Sequence, residues 1–585
     1  MKPLLAALLL LAAPAAAQDS AATPATALNA VIADHWQWYL QSNPVAATAL
    51  GVRTHDDKLA DLSLAAADRQ AAQAAAFIKR LDAIPAAQLS PADRTNHAIL
   101  RRLLAEQVEA NGFGQRAMNL STLSSWFQAF AGLADAVPTR TRADFESYLA
   151  RLGQFPAANA QALDVARRAV AGGYVQPCVT LEGLGQTIAS IVTANPEDSR
   201  CYTPFKRPRA SAMSDAEWAA LQTRGKALIT DTINPEYRKI ETYFRTAYLP
   251  KCRASTGAAA LPDGARHYDF LIRQQTTTTL NAAQIHVIGL AEVKRIRAEM
   301  TALATSAAYP SLAAFIQALR TDPKYYPKSA EELLGAAALQ AKINDGKLPS
   351  LFTRLPRLPY GLRAIPAETA PRNPTAYYQP GSPAAGLAGS YFVNTSKLDQ
   401  RPLYEIAALT SHEAVPGHHI QVALQQEMDL PDFRKYAAFF TAFAEGWGLY
   451  AEHLGIEMGI YDTPEKDMGR LSYEMWRAAR LVVDTGLHAQ GWSKAQAVAF
   501  MKANTALTDA NIDAEVNRYI SIPGQALGYK LGELKLLALR DKAERTLGPR
   551  FDLRRFHDAL LGQGAVPLDV LEAQVDSWIA SEQQP

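Results

Sequence analysis

Glu405-Ile406-Ala407-Ala408-Leu409-Thr410-Ser411-His412-Glu413-Ala414-Val415-Pro416-Gly417-His418-His419 is the stretch on which both fold and chemistry turn. Residues 405–411 read as helix, His412-Glu413 continue it, and two more histidines follow Pro416-Gly417. Where one helix supplies two histidines to one metal ion, they are spaced by four, because about 3.6 residues per turn puts both imidazoles on one face. Here His418 is six residues and His419 seven residues from His412. On an unbroken helix the seven-residue pair shares a face but stands about 10 Å apart, and the six-residue pair points about 120° apart. Neither pair could then share an ion held at roughly 2 Å per bond. Pro416-Gly417 resolves the conflict, since proline removes a donor and clashes with the preceding turn while glycine accepts the distortion. A bulge or local unwinding brings His418 back beside His412, with His419 as the alternative second ligand. Glu413 projects near the ion without binding it, where a base acting on activated water belongs.

A third ligand is expected from another helix. Thr441-Ala442-Phe443-Ala444-Glu445-Gly446-Trp447-Gly448-Leu449-Tyr450-Ala451-Glu452 offers Glu445 on an apolar helical segment, with Gly446 and Gly448 allowing another backbone to approach. A carboxylate there needs a partner to offset its desolvation, and Zn2+ would be that partner. Glu452, two turns on and on the same face, fits a carboxylate that orients a histidine. Singly, each piece has an ordinary reading: a helix histidine is usually a hydrogen-bonded core residue, and a buried glutamate is usually ion-paired. The conjunction of His-Glu, a distorted turn, His-His and a downstream Glu argues for a zinc site of His412, His418 and Glu445.

Working outward, apolar residues recur at three and four positions from Leu59 through Leu81, and helix starts recur, as at Ser90-Pro91-Ala92-Asp93 and Ser214-Asp215-Ala216-Glu217. Prolines 349, 356, 359, 366, 371, 374, 380 and 383 exclude a long helix over residues 347–386. That segment leads into Gly389-Ser390-Tyr391-Phe392-Val393-Asn394-Thr395, the best strand candidate near the motif. Helix returns at Tyr404. The expectation is a mainly α fold, large and helical, with a deep central cleft and a small β element near the site. Residues 18–270 would form one cleft wall and residues 271–585 the lobe bearing the motif, unless the two make one continuous domain.

Met1-Lys2-Pro3, an apolar run from Leu4 to Ala13 and Pro14-Ala15-Ala16-Ala17-Gln18 read as an export signal over residues 1–17, cut after Ala17. The run is about ten residues, where a bilayer span needs roughly twenty. No cysteine stands where a lipid anchor would need one, so a periplasmic or secreted protein is expected. With 59 basic and 57 acidic residues and a net charge of +2, no field attracts nucleic acid or an anionic membrane. Lys206-Arg207-Pro208-Arg209 reads as a solvated loop. Cys178, Cys201 and Cys252 allow one bridge and one spare thiol; Cys178 and Cys201 are closest in sequence, and all three pairings stay open.

His-Glu-Ala-Val-Pro-Gly-His-His from His412, Ala444-Glu445-Gly446-Trp447, Glu474-Met475-Trp476-Arg477, Arg480 through His488, Arg518-Tyr519 and Pro523 through Lys530 together resemble the family called domain of unknown function 885. The resemblance covers nearly all of the mature chain and is most specific in the C-terminal half. It implies kinship with the zinc peptidases that use two His and one Glu, the gluzincin type, and a helical fold similar to thimet oligopeptidase, carboxypeptidase Taq and angiotensin-converting enzyme. By resemblance His412 and His418 map to the His ligands, Glu413 to the catalytic carboxylate and Glu445 to the Glu ligand. The histidine spacing departs from that pattern and resembles an extended version of the dipeptidyl-peptidase III helix.

The implied activity is hydrolysis of short peptides by metal-activated water, with Glu413 as general base. A second donor would stabilise the oxyanion, the candidates being Tyr519, Tyr529, Arg518 and His488. Asp484, four residues before His488 on a helix, could orient its imidazole. Tyr391, Phe392 and Asn394 could pair with a peptide backbone as an added strand. The competing readings are a zinc hydrolase of a non-peptide amide and a metal-free helical periplasmic binding protein.

Overall fold

The computed structural model describes residues 23–209, 211–367, 370, 374–383 and 386–584; the expected export signal at residues 1–17 lies outside them. Helices dominate because Ala and Leu supply apolar faces and capped starts satisfy the first free amides. Helix α1 (Leu64–Asp82) begins where the Ser63 side chain accepts from the Ala66 N–H. Leu59 and Leu62, expected within that helix, lie ahead of it, their N–H groups donating to Gln154 and Gln161. Helix α2 (Pro91–Asn111) is capped by Ser90.

Helix α3 (Gly264–Thr276) contains residue 270, so a division of the chain there falls inside a helix. Helices α4 (Ala282–Ser306) and α5 (Ala330–Leu351) follow. α5 runs through Pro349, against the expectation that proline stops helix from residue 347 on; Pro349 sits in the last turn, where its missing N–H forfeits one bond rather than breaking a ladder. The proline-rich segment then carries β1 (Tyr360–Ala364) and β2 (Ala376–Gln379), and β3 (Gly389–Val393) follows. The sheet order is β1-β3-β2, with β3 parallel to β1 and antiparallel to β2; Tyr391 stands opposite both Leu362 and Tyr378.

The remaining helices that frame the site are α6 (Ile406–Glu413), α7 (His418–Glu427), α8 (Thr441–His453), α9 (Pro464–Ala489), α10 (Asp509–Ser521) and α11 (Leu527–Leu547). α9 is the central post, buried almost continuously from Met468 to His488. Lys530 on α11 is fully buried and ties three helices together, its ammonium 2.8 Å from Glu474, 2.6 Å from Glu533 and 3.2 Å from Glu292. A cation so placed is tolerable only because several carboxylates replace its water.

Leu28 to Leu104 pack in the same core as Phe443 to Ile579, so the chain's two ends close on each other around α8 and α11. Residues between Leu120 and Tyr248 form a separate core. Cys178 is bridged to Cys252, 74 residues away, rather than to Cys201, its nearer neighbour in sequence; Cys201 is a buried free thiol. Among the described residues no helix is long and apolar enough to cross a membrane.

Candidate metal centre

α6 stops at Glu413 because the backbone leaves the helical region at Ala414, with φ −101° and ψ −105°. It turns through a cis Val415–Pro416 bond and Gly417, with φ −75° and ψ −128°, and α7 starts at His418. The motif therefore spans two helices and a turn, not one bulged helix. A Cβ on Gly417 would lie 2.0 Å from the His412 carbonyl oxygen, so only glycine fits. The turn is pinned from both sides. Asn344 Nδ2 donates to the Val415 carbonyl at 2.9 Å, and Trp447 Nε1 donates to those of Pro416 at 3.0 Å and Gly417 at 3.2 Å. As a result the His412 and His418 rings meet with centroids 4.8 Å apart and planes at 88°.

Glu445 on α8 completes a cluster. Its Oε2 lies 3.5 Å from Nε2 of His412 and 3.5 Å from Nε2 of His418, and one donor atom from each of the three residues falls within 4.8 Å of the others. Tetrahedral zinc with bonds of about 2.1 Å separates its ligand atoms by about 3.4 Å, close to both His–Glu separations, and this His-His-Glu donor set suits the ion. Small residues on α8 make the approach possible. A Cβ on Gly446 would lie 2.5 Å from Gly532 Cα, which is where α8 and α11 cross, and one on Gly448 would lie 2.6 Å from Cε1 of His412. The imidazole occupies the space a side chain at residue 448 would need. His412 is buried, while the His418 and Glu445 side chains each keep 16% of their surface exposed, so the cluster opens to solvent on that side.

The electrostatics are those of a cation site. Burial lowers the His412 pKa, but the Glu445 and Glu452 carboxylates outweigh it and lift it to about 9. Burial raises Glu445, and the two imidazoles outweigh that, holding its carboxyl well below the usual range. Nδ1 of His412 meets Glu452 Oε1 at 2.8 Å, and Arg477 Nη2 lies 3.3 Å from the same oxygen. That pairing commits Nδ1 as donor and turns Nε2 toward Glu445 and His418, the orientation typical of metal-binding histidines. The Glu413 carboxylate accepts no hydrogen bond and makes no ion pair among the described residues, although it is near enough to His412 to raise its pKa.

His419, the alternative ligand, faces away from the cluster. Its Nδ1 shares a hydrogen bond with the Tyr378 hydroxyl at 3.0 Å, and its ring lies 4.7 Å from that of Tyr360, so it joins α7 to the sheet.

The expected oxyanion donors divide. Tyr529 is closest, its ring 6.4 Å from that of His412 and its hydroxyl pKa raised by burial and then by the Glu445 charge. Tyr519 is buried, its hydroxyl accepting from Trp476 Nε1 and Arg480 Nε, each at 2.9 Å. Arg518 pairs with Glu515 at 2.9 Å and donates to Gln525 at 2.7 Å. His488 is a correction. Its Nδ1 accepts from the Ala258 N–H and its Nε2 donates to the Tyr519 carbonyl, both at 3.0 Å, so both nitrogens serve the scaffold. Asp484 does not orient it, accepting instead from the Tyr268 hydroxyl at 2.5 Å and the Gly524 N–H at 3.1 Å.

The strand expectation also changes. β3 is the middle strand, paired along both edges, and has no free edge for a peptide. Tyr391 is buried with its hydroxyl 3.3 Å from that of Thr410, Phe392 stacks on Tyr377, and Asn394 donates to the Ala370 and Pro374 carbonyls. All three build the sheet and its loop. Asn344, Trp447, Arg477 and Arg480 gained no role from the sequence alone. The three- and four-residue spacing of Glu474, Arg477, Arg480 and Asp484 was the available signal, because it puts four charges on one face of a helix otherwise apolar enough to be buried.

The fold is similar to a crystal structure from Colwellia psychrerythraea described as a "putative lipoprotein", with a TM-score of 0.90 and 27% identity over 96% of this chain and 100% of that one. A structure from Shewanella oneidensis, described likewise and as of unknown function, shares the fold with a TM-score of 0.71 and 18% identity, covering 94% of this chain and 99% of that one. No curated protein matches the chain. The profile of a family described as bacterial protein of unknown function, DUF885, matches residues 44–575, and the chain belongs to that family.

Proposed function

We propose that this chain is an exported zinc-dependent peptidase of the gluzincin kind that hydrolyses short peptides. One observation carries the reading: His412, His418 and Glu445 bring three donor atoms within 4.8 Å of one another, both His–Glu separations being 3.5 Å, with the unengaged Glu413 carboxylate beside them. A bound zinc ion supplies Lewis acidity toward the scissile carbonyl and makes water a nucleophile near neutral pH. Glu413 takes the proton from the attacking water and returns it to the leaving amine. Glu452 keeps His412 in the tautomer that turns Nε2 toward the centre. Tyr529, a neutral phenol beside Glu445, donates to the oxygen on which negative charge develops.

The edge strand β2 suits a peptide, which can pair with it as an added strand; Tyr378 on β2 bonds to His419, next in sequence to His418. Export is supported by the Cys178–Cys252 bridge, a bond that persists in oxidising compartments, by the pattern of residues 1–17, and by the lipoprotein descriptions of the two similar structures.

The test is zinc content by elemental analysis together with peptide hydrolysis by wild type and Glu413→Gln. About one equivalent of zinc in both proteins is expected, with turnover lost by roughly three orders of magnitude or more in the variant. Absence of zinc after zinc-replete purification, or full turnover by Glu413→Gln, would overturn the reading.

A further inference from the structure

Beside the metal cluster, two guanidinium groups share one carboxylate. Arg480 Nη2 lies 3.1 Å and Arg518 Nη2 2.9 Å from the same oxygen of Glu515. The Arg480 side chain is only 4% exposed, so the trio carries an excess positive charge largely out of water. Buried charge is costly unless paired and hydrogen-bonded. Asp484, which lies within electrostatic reach of Arg518, has its oxygens already taken by the Tyr268 hydroxyl and the Gly524 N–H. Nη1 of Arg480 meets no acceptor among the described residues.

The orientation of the pair is fixed. The Arg480 guanidinium lies 4.4 Å from the Trp476 ring centre and 4.5 Å from that of Tyr529, so aromatic faces set its plane. Arg518 is held by Glu515 and Gln525 and keeps 23% of its side chain exposed. With Arg480 Nε donating to Tyr519 and its Nη2 to Glu515, Nη1 is the donor left to it, and a charge-assisted hydrogen bond to a carboxylate would satisfy it. Tyr529 links the pair to the metal cluster, since its ring also lies 6.4 Å from that of His412. The Arg480 guanidinium carbon is therefore within about 11 Å of the His412 ring centre, the sum of its separation and that of His412 from Tyr529. One or two extended residues at roughly 3.5 Å each, with contacts at both ends, span such a gap.

We infer that Arg480 and Arg518 form a subsite for the free C-terminal carboxylate of a peptide whose scissile bond lies at His412, His418 and Glu445, so that one or two residues are released from the carboxyl end. The inference rests on the peptidase reading and adds the end from which peptides are cut. The substrate carboxylate supplies the anion that the arginine pair lacks.

The experiment uses zinc-loaded full-length Glu413→Gln protein and isothermal calorimetry with three probes: tetra-alanine, its C-terminal amide, and that amide with glutamate at the third position. Tetra-alanine should bind about tenfold or more tighter than either amide, as expected for a charge-assisted contact in a partly buried site. Adding Arg518→Gln or Arg480→Gln should erase most of that preference. Arg518 is the more exposed of the two, so its variant decides if Arg480→Gln does not fold.

Equal affinity for tetra-alanine and its amide, no binding of any probe, or an unchanged preference in the arginine variants would overturn the subsite. Binding of the glutamate-bearing amide as tightly as tetra-alanine would overturn the assignment to the chain terminus. Hydrolysis by the zinc-loaded wild type separates the two proposals. Cleavage of both the acid and the amide at equal rates removes the subsite and leaves the peptidase, whereas a binding preference without cleavage of any peptide removes the peptidase and leaves the carboxylate site.

Discussion

His412 is locked to Glu452 across two helices: Nδ1 and Oε1 are 2.8 Å apart and both side chains are buried. Glu445, seven residues earlier on the same helix, faces the opposite nitrogen of that imidazole at 3.5 Å. Carboxylates two turns apart on α8 thus grip one ring at both ends, Glu452 at Nδ1 and Glu445 at Nε2.

Removing the orienting carboxylate should weaken metal binding without abolishing it. Glu452→Ala is expected to lower zinc affinity by about 10–100-fold, read by competition with a chromogenic chelator. Glu452→Gln, which can still accept from Nδ1, should fall between that variant and wild type. Undiminished zinc affinity in Glu452→Ala would show that the contact is packing alone.

Gly448→Ala puts a methyl group 2.6 Å from Cε1 of His412. The ring cannot retreat freely, because Glu452 holds its other side. Overpacking of this kind costs roughly 1–3 kcal/mol, so a lower melting temperature is expected together with substoichiometric zinc. A variant with full zinc and wild-type melting would mean that α8 shifts away from α6 at little cost.

His488 should behave as a buried structural histidine. Burial pushes its pKa from 6.5 down to about 4. Between those values the unfolded chain binds a proton that the folded chain excludes, so stability that is full above pH 6.5 falls as the pH drops toward 4. His488→Gln lacks this term. Its deficit relative to wild type, measured by urea denaturation, should narrow by about 3 kcal/mol between about pH 7 and about pH 4. A deficit that does not change with pH would mean that the imidazole titrates in the folded protein as it does in water, as a ring facing an open site would.

The helical class and the grouping of His412, Glu413, His418 and Glu445 were legible because they rest on short-range periodicity and on residue types that few folds place together by chance. Pro416-Gly417 announced a break in the helix, although its form, two helices joined by a turn pinned by Asn344 and Trp447, depended on segments far away in sequence. The pairing of Asp484 with His488 was inferred from a four-residue spacing, and the structure gave each a different partner, Tyr268 and Gly524 for one and Ala258 and Tyr519 for the other. Spacing along a helix states which residues share a face and says nothing about what that face meets. The sheet failed for a related reason: Tyr391-Phe392-Val393 was recognisable as a strand, but whether it is an edge or a centre depends on β1 and β2, drawn from a proline-rich segment whose pairing has no local signature.

The sequence by itself determined that this is an α protein with a helix that must break between two histidines, and it singled out Glu445 as a carboxylate on a small-residue helix that needs a positively charged partner. These follow from backbone periodicity and from the desolvation cost of charge, both local properties of the chain. Only the tertiary structure decided that His418 rather than His419 turns inward, that Cys178 joins Cys252, and that Arg480 and Arg518 stand together with one carboxylate between them. Those outcomes depend on which distant helices pack together, a choice made by the summed burial of many apolar side chains and written at no single position.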